Sequence, residues 1–450
     1  MTTKTSRRSF LRSAVPIPFI VPAAAVCVTA HGQTMPNDKL VMGLIGTGRQ
    51  CYHQNIPGFV RNKRTQVVAL CDVDLWRLEE SKKKVAEIYE KSVSLTKPAA
   101  IQTYTDYKEL LERSDIDAVM ISTPDHWHTQ QAVEAMKAGK HVALEKPIIR
   151  TIAEGQQLVS TAAETKRIFR VDSEFRSGKG AHRAAELVRN GRLGDIKSVL
   201  VCVPDTDVSC PPQKEMPVPP ELDYGRWQGN APKAFYTLKR VHTPHNISER
   251  SGWMRHLYYC DGMVTNWGTH LLNGALWALG LDRTFPEEIE GTGQYPDADS
   301  FWNVLLQFSI NYRYKNDDYK NGLQITYKTG KPFYRIEGEK GTLSVSFDWS
   351  KDVPGGIQAE PASLLDEKIG SDEIHFPLRS EKEDFVDSVL NNKETLEPAI
   401  VGHCVTSSLL LGHIAVRTGE KVNFDPEVQA FVNSPKAAAY FDKRITDSRS

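Results

Sequence analysis

Glu145-Lys146-Pro147 carries the most chemical meaning in this chain because it follows Gly46-Thr47-Gly48 by about a hundred residues. Leu40-Val41-Met42-Gly43-Leu44-Ile45 is a short apolar run, read as a buried parallel strand, and the glycines follow it at once. A first glycine permits a tight turn, and a second lets backbone N–H groups approach a pyrophosphate at a helix N-terminus. Arg49 and Gln50 open that helix, which the pattern extends to about Val60, and Cys51 stands where a third glycine is usual. Gln66–Cys71 reads as the next strand and ends in Asp72, twenty-four residues after Gly48. A carboxylate there can accept hydrogen bonds from a ribose and repel a 2′-phosphate, which favours NAD over NADP. The competing reading makes Asp72 a cap of the helix that starts near Leu75. A lysine at a later strand end, downstream of such a turn, can sit beside a nicotinamide ring as an acid/base.

The elements that must position these residues alternate. Tyr107–Glu112 reads as a short helix, Asp117–Ser122 as a strand leading into Thr123-Pro124, and Asp125–Ala138 as a helix stopped by Gly139. His141–Leu144 is the next strand, and Lys146 lies just past its end. The glycine turn, Asp72, Thr123 and Lys146 all fall at carboxyl ends of strands, where open α/β sheets bind ligands.

On these residues the chain resembles the glucose–fructose oxidoreductase, inositol dehydrogenase and rhizopine catabolism (Gfo/Idh/MocA) family. The resemblance rests on Gly43–Gly48, on Thr123-Pro124 with His128 four residues on, on Ala138–Val142 running into Glu145-Lys146-Pro147, and on Gly262–His270. It implies an N-terminal Rossmann domain and a C-terminal α+β domain with an open, mostly antiparallel sheet. The boundaries expected are 38–150 for the first domain, 151–425 for the second and 426–450 for a tail. The strand-like runs Lys197–Val203, Asn303–Ile310, Gly322–Lys328, Phe333–Glu337 and Gly341–Phe347 agree, as do helices over Arg379–Leu390 and Val401–Thr418. The cofactor-binding set implied is Gly46, Thr47, Gly48, Arg49, Gln50, Asp72, Thr123, Pro124, His128, Glu145 and Lys146.

The resemblance also implies the chemistry. Lys146 hydrogen-bonds the reacting hydroxyl, His270 acts as acid/base, and Asn266 stands where many family dehydrogenases carry an aspartate. A second common acidic position is Asn273. An amide orients but cannot act as a base, so Asp261 and Glu145 are the substitutes to weigh. A polar–aromatic set, Arg176, His242, His245, Trp253, Arg255, Tyr258 and Tyr259, suits sugar recognition, with Arg176, Trp253, Arg255, Tyr259 and His270 expected against the substrate. His126 and His128 have His-x-His spacing, but two ligands are too few for a metal site, and none is expected.

Ser6-Arg7-Arg8-Ser9-Phe10-Leu11-Arg12 matches a twin-arginine export motif, followed by an apolar stretch interrupted by prolines and a small-residue site at Val28-Thr29-Ala30. Residues 1–30 are expected to be the signal, the translocon a partner and the periplasm the destination, with an uncleaved or lipid anchor as the alternative. Such export carries folded protein, which fits tightly held NAD. Residues 1–30 hold four basic residues and no acid, so the remaining chain carries 52 basic against 56 acidic residues. The balance is mildly acidic, with no basic run suited to nucleic acid, so no nucleic-acid partner is expected. A dimer or tetramer is implied by the resemblance alone. Three functions stand open: an oxidoreductase acting on a secondary hydroxyl of a sugar, glycoside or polyol; an NAD-dependent glycosidase working by transient ring oxidation and elimination; and a non-catalytic sugar- or nucleotide-binding protein.

Overall fold

The computed structural model describes residues 39–205, 209–348 and 353–447. The expected export signal, residues 1–30, lies outside them.

Six strands, β1 (Leu40–Ile45), β2 (Thr65–Cys71), β3 (Gln102–Tyr104), β4 (Ala118–Ile121), β5 (His141–Glu145) and β6 (Phe169–Asp172), form a sheet in the order β3-β2-β1-β4-β5-β6. All neighbours are parallel. This is the doubly wound order, whose switch point between β1 and β4 opens a crevice at the carboxyl ends. The helices packing around it are α1 (Ile56–Val60), α2 (Leu75–Glu90), α3 (Tyr107–Leu111), α4 (Asp125–Lys137) and α5 (Ile152–Thr165). The chain from Cys51 to Asn55 winds as a π-helical turn before α1, so the predicted helix over 49–60 forms but is locally underwound. Residues of β4 and nearly all of β1 and β5 are buried, as expected of strands covered on both faces. The parallel sheet does not stop at residue 150: β6 pairs with β5 from Val142/Phe169 to Glu145/Asp172.

The remaining strands are β7 (Ile196–Val203), β8 (Glu288–Gln294), β9 (Gln307–Tyr314), β10 (Leu323–Thr329), β11 (Phe333–Gly338), β12 (Gly341–Asp348), β13 (Val353–Glu360), β14 (Val422–Asp425) and β15 (Ala430–Phe431). They form one open sheet in the order β13-β12-β11-β7-β10-β9-β8-β14-β15, antiparallel except for the β7/β10 pair. Alternation sorts its faces. Phe308, Ile310, Tyr312 and Tyr314 of β9 are buried, while Gln307 before them and Asn311 among them are exposed. In register, Ile325 and Tyr327 of β10 face Tyr312 and Ile310 across the ladder.

Helices α6 (Lys179–Arg189), α7 (Tyr224–Gln228), α8 (Met263–Asn266), α9 (Gly268–Leu279), α10 (Glu381–Leu390) and α11 (Ala399–Thr418) accompany this half. The last is long and apolar enough to cross a membrane by composition, but every residue from Val401 to Ala415 is buried inside the protein. It is the central core helix, and each fully buried leucine in it contributes about 2 kcal/mol. The tail folds back: Arg444 pairs with Glu154 of α5 at 2.5 Å, and Ile445 is buried. The six cysteines of the described residues are buried free thiols.

Candidate active site

The crevice at the β1/β4 switch point is a cleft of about 350 Å³, lined among others by Gly46, Gly48, Asp72, Thr123, Glu145, Lys146 and Asn266. Its mouth begins at the glycine turn. Gly46 has φ +82°, and a Cβ there would meet the backbone of Ser122 and Thr123 at 2.7 Å. Gly48 faces open space, with nothing within 4 Å of a Cβ position. The turn is therefore fixed by the first glycine and left open as a cradle by the second, which fits a pyrophosphate. Cys51 fills the third position as a fully buried small side chain. Arg49 donates from Nε to the Ser248 carbonyl at 3.0 Å, and both Arg49 and Gln50 reach the cleft.

Asp72 is neither a free acceptor nor a helix cap. Its Oδ2 accepts from the Thr47 amide (2.6 Å) and hydroxyl (3.1 Å), and its Oδ1 accepts from the Asp74 amide (2.9 Å). Burial, reinforced by the charge of Asp74, raises its proton affinity. With about four lone-pair sites on a carboxylate, three accepted bonds leave one site on Oδ1 for a ribose hydroxyl. Thr47 is thus buried behind the turn, where it braces Asp72. The cap of α2 is Asp74, which accepts from the Trp76 and Arg77 amides and meets His242 at 2.8 Å. His242 and Arg77 line the cleft beside Asp72. The motif reading overlooked Asp74, although an aspartate one residue before an amphipathic run is an N-cap signal. No local signal could show His242 arriving there, because it comes from a loop of the second half.

Thr123 and Pro124 lead into α4. Thr123 donates to Gln131 Oε1 at 2.7 Å, and the His128 ring sits between the carbonyls of Thr123 and Pro147, each 2.7 Å from a ring nitrogen, donating to one of them when neutral. Burial lowers the His128 proton affinity to about 4. His128 thus ties the β4 and β5 strand ends together, and His126 contacts the Trp227 carbonyl. Trp127 forms wall of the cleft.

At the far end, Lys146 donates from Nζ to the Asn266 backbone carbonyl at 3.2 Å. Glu145 accepts from Asn55 Nδ2 at 3.0 Å. Burial first, then the charge of Asp172, pushes its carboxyl up to about 8. His270, on the first turn of α9, is 3% exposed and is not part of the cleft lining. Burial and then the Lys146 charge lower its proton affinity well below the usual histidine range.

The two asparagines at the acidic positions have different surroundings. Asn266 borders the cleft. Asn273 accepts from Arg176 Nε at 3.0 Å and donates from Nδ2 to Glu397. An amide suits that place because it offers an acceptor to the guanidinium and a donor to the carboxylate. Asp261 is held in its charged form: against the cost of burial, Arg150 at 2.9 Å and His413 at 3.2 Å keep its proton affinity low.

Of the expected substrate residues, Trp253 lines the cleft and Arg176, Arg255 and Tyr259 do not. Arg176 is 1% exposed and paired with Asp282 (2.8 Å) and Glu397 (3.0 Å). Its place is an interior ion network rather than a sugar site, because a guanidinium buried that deeply needs carboxylates around it. Tyr259 is fully buried, its ring 4.8 Å from Trp227. Arg255 lies over the Trp302 ring at 4.5 Å. His245 pairs with Glu221 at 2.9 Å, outside the cleft lining.

The chain belongs to the Gfo/Idh/MocA oxidoreductase family. The family's NAD-binding Rossmann fold matches residues 40–173, and its C-terminal alpha/beta domain matches residues 209–448. Among curated relatives, a glycosyl hydrolase family 109 protein of Shewanella pealeana is 34% identical over 180 residues, which cover 39% of this chain and 37% of that protein. Another, from Solibacter usitatus, is 32% identical over 203 residues, 43% of this chain and 44% of that one. The match therefore spans well under half of these relatives' length. Similar solved structures include aldose-aldose oxidoreductase from Caulobacter crescentus complexed with glycerol (TM-score 0.60, 17% identity, 86% of this chain and 100% of that one). The WlbA dehydrogenase from Bordetella pertussis, in complex with NADH and UDP-GlcNAcA, is also similar (TM-score 0.58, 18% identity, 86% and 99%). At such identities the likeness is one of fold.

Proposed function

We propose that this protein is an exported NAD-dependent oxidoreductase that oxidises or reduces a secondary hydroxyl of a sugar, glycoside or polyol. The observation that carries the proposal is one cleft lined both by the glycines of the Gly46–Gly48 turn and by Lys146. Gly46, Gly48, Arg49, Gln50 and Asp72 would hold the dinucleotide, which when bound supplies the hydride acceptor. Lys146 orients the reacting oxygen and stabilises its ionised form. Its tether to the Asn266 carbonyl fixes the ammonium while leaving two N–H donors for the substrate. Trp127, Trp227 and Trp253 give the lining apolar faces for a sugar ring.

NAD is preferred to NADP because Asp72 stands at the ribose end, and it is tightly held. Export, passage through the twin-arginine translocon and periplasmic residence rest on the arginine motif at residues 6–12. Assembly as a dimer or tetramer belongs to the same proposal.

A second reading, the NAD-dependent glycosidase, is favoured by the naming of the curated relatives. In it, the same cleft oxidises a ring hydroxyl, eliminates the glycosidic group, adds water across the double bond so formed and returns the electrons to the ring. The test begins with protein purified without added cofactor. Any released dinucleotide is identified by mass after denaturation, and the native protein is mixed with a panel of aldoses, polyols and p-nitrophenyl glycosides. Reduced nicotinamide that accumulates supports the dehydrogenase; aglycone release without net reduction supports the glycosidase. Failure to bind NAD at all overturns both.

A further inference from the structure

One wall of the cleft comes from a segment outside both the glycine turn and the Glu-Lys-Pro motif. Residues 221–254 lie between β7 and α8, yet Arg226, Trp227, His242, Ser251, Trp253 and Met254 all line the cleft. The segment meets the parallel sheet just beyond four strand ends. After β2 it brackets the turn with its backbone: the Leu75 amide donates to the Glu221 carbonyl and the Asp223 amide to the Val73 carbonyl, each at 2.9 Å. After β3, Arg226 donates from Nη1 to the Thr105 carbonyl at 3.2 Å. After β4, Trp127 on the first turn of α4 donates from Nε1 to the Trp227 carbonyl at 3.0 Å. After β1, Arg49 donates from Nε to the Ser248 carbonyl at 3.0 Å.

Two further ties fall beside the expected ribose carboxylate. His242 donates from Nε2 to Asp74 Oδ2 at 2.8 Å, and the Asp74 amide in turn donates to Asp72 Oδ1 at 2.9 Å. Arg77, which lines the cleft, donates from Nη2 to the Asn246 carbonyl at 3.0 Å. His245 and Glu221 meet at 2.9 Å and so join the two arms of the segment.

The segment also has a small core of its own. Leu222, Trp227, Ala231, Tyr236 and Val241 pack with Tyr259 in an apolar cluster separate from the cores of the two sheets, and Val73 packs against it. A segment packed on itself opens as a unit rather than residue by residue. Gly229 seats this unit on the cleft wall. Its φ is +50°, and a Cβ there would lie 2.1 Å from Cζ2 of the Trp127 ring. Only glycine allows so close an approach at that backbone conformation.

We propose, resting on the oxidoreductase reading, that residues 221–254 are a cofactor strap. Gly46, Gly48 and Asp72 hold the dinucleotide from the sheet side, and the strap covers it from the other. His242 is the positioning residue that latches the strap to the Asp72 side through Asp74. A single hydrogen bond adds little net stability. These ties part together, because the strap moves as one piece, so the dinucleotide enters and leaves at the rate at which the strap opens.

The test uses the full chain loaded with NAD. The variants are Gly229→Ala, which wedges the strap off Trp127, together with His242→Ala and His242→Gln. Bound NAD is exchanged against an excess of isotopically labelled NAD, and the fraction remaining is read by mass. Urea midpoints establish that each variant is folded. Both alanine variants should exchange NAD about tenfold faster than wild type or more. His242→Gln keeps an N–H donor for Asp74 and should fall closer to wild type. Hydrogen exchange gives a readout that needs no substitution: the Leu75 and Asp223 amides should exchange more slowly in NAD-loaded wild type than in stripped protein. If Gly229→Ala does not fold, the His242 pair and the amide exchange decide. The strap is overturned if the folded alanine variants exchange NAD at the wild-type rate, or if those two amides exchange alike with and without NAD. A chain that takes up no dinucleotide defeats the oxidoreductase reading and the strap together, whereas one that binds NAD and fails the exchange tests defeats the strap alone.

Discussion

Two glycines two residues apart are expected to fail in different ways when replaced by alanine. At Gly46 the added Cβ would lie 2.7 Å from Ser122 C and Thr123 N, and the backbone has φ +82°. The left-handed conformation costs an L-residue about 1–2 kcal/mol. Backbone rather than a movable side chain blocks the methyl, so overpacking adds about 1–3 kcal/mol. Gly46→Ala should thus lose about 2–5 kcal/mol, a large share of the roughly 5–15 kcal/mol by which domains are stable. At Gly48 a Cβ meets nothing within 4 Å, so Gly48→Ala should stay within about 0.5 kcal/mol of wild type. Its methyl instead occupies the open cradle, and each 1.4 kcal/mol lost there weakens binding about tenfold. Urea titration of both variants reads the first effect, and calorimetric titration of stripped protein with NAD reads the second. The reasoning fails if Gly46→Ala unfolds at the wild-type urea concentration, or if Gly48→Ala binds NAD as wild type does.

Lys146→Ala should retain dinucleotide and lose turnover by at least about 10²-fold, measured in a single-turnover assay of bound nicotinamide reduction; undiminished turnover would contradict its role. Asn273→Asp should destabilise the fold, because it removes the donor to Glu397 and sets two carboxylates together around Arg176. A urea midpoint at or above wild type would show that the network tolerates the extra charge. Glu145→Gln should change the pH dependence of stability in a stated direction. The carboxyl is raised from 4.5 in the unfolded chain to about 8 in the fold, so its contribution is present below 4.5 and is lost as pH rises toward 8. The stability of Glu145→Gln relative to wild type should therefore increase across that window and level off above it, and a difference independent of pH would refute the assignment.

Local signals determined much of this protein from sequence alone. Apolar runs closed by glycine, aspartate or proline located β1, β2, β4 and β5 to within a residue or so, and their order placed the glycine turn, Asp72, Thr123 and Lys146 at one sheet edge. These assignments succeed because buried parallel strands are continuous apolar stretches and because a tight turn at positive φ requires glycine. Strands β3, β6, β8, β13, β14 and β15 were not read. Residues such as Glu288–Gln294, with two glycines and four polar side chains, become a strand only because β9 and β14 pair with them. The tertiary structure alone decided which polar residues have work in the cleft. Arg176 and Tyr259 look like sugar ligands in the sequence, yet Asp282, Glu397 and Trp227 draw them into the interior. Asp125 looks like an ordinary helix-opening acid, yet the fold buries it in the lining of the cleft. Residue type and spacing specify what a side chain can do; burial and partners, contributed by segments distant in the chain, decide what is left for it to do.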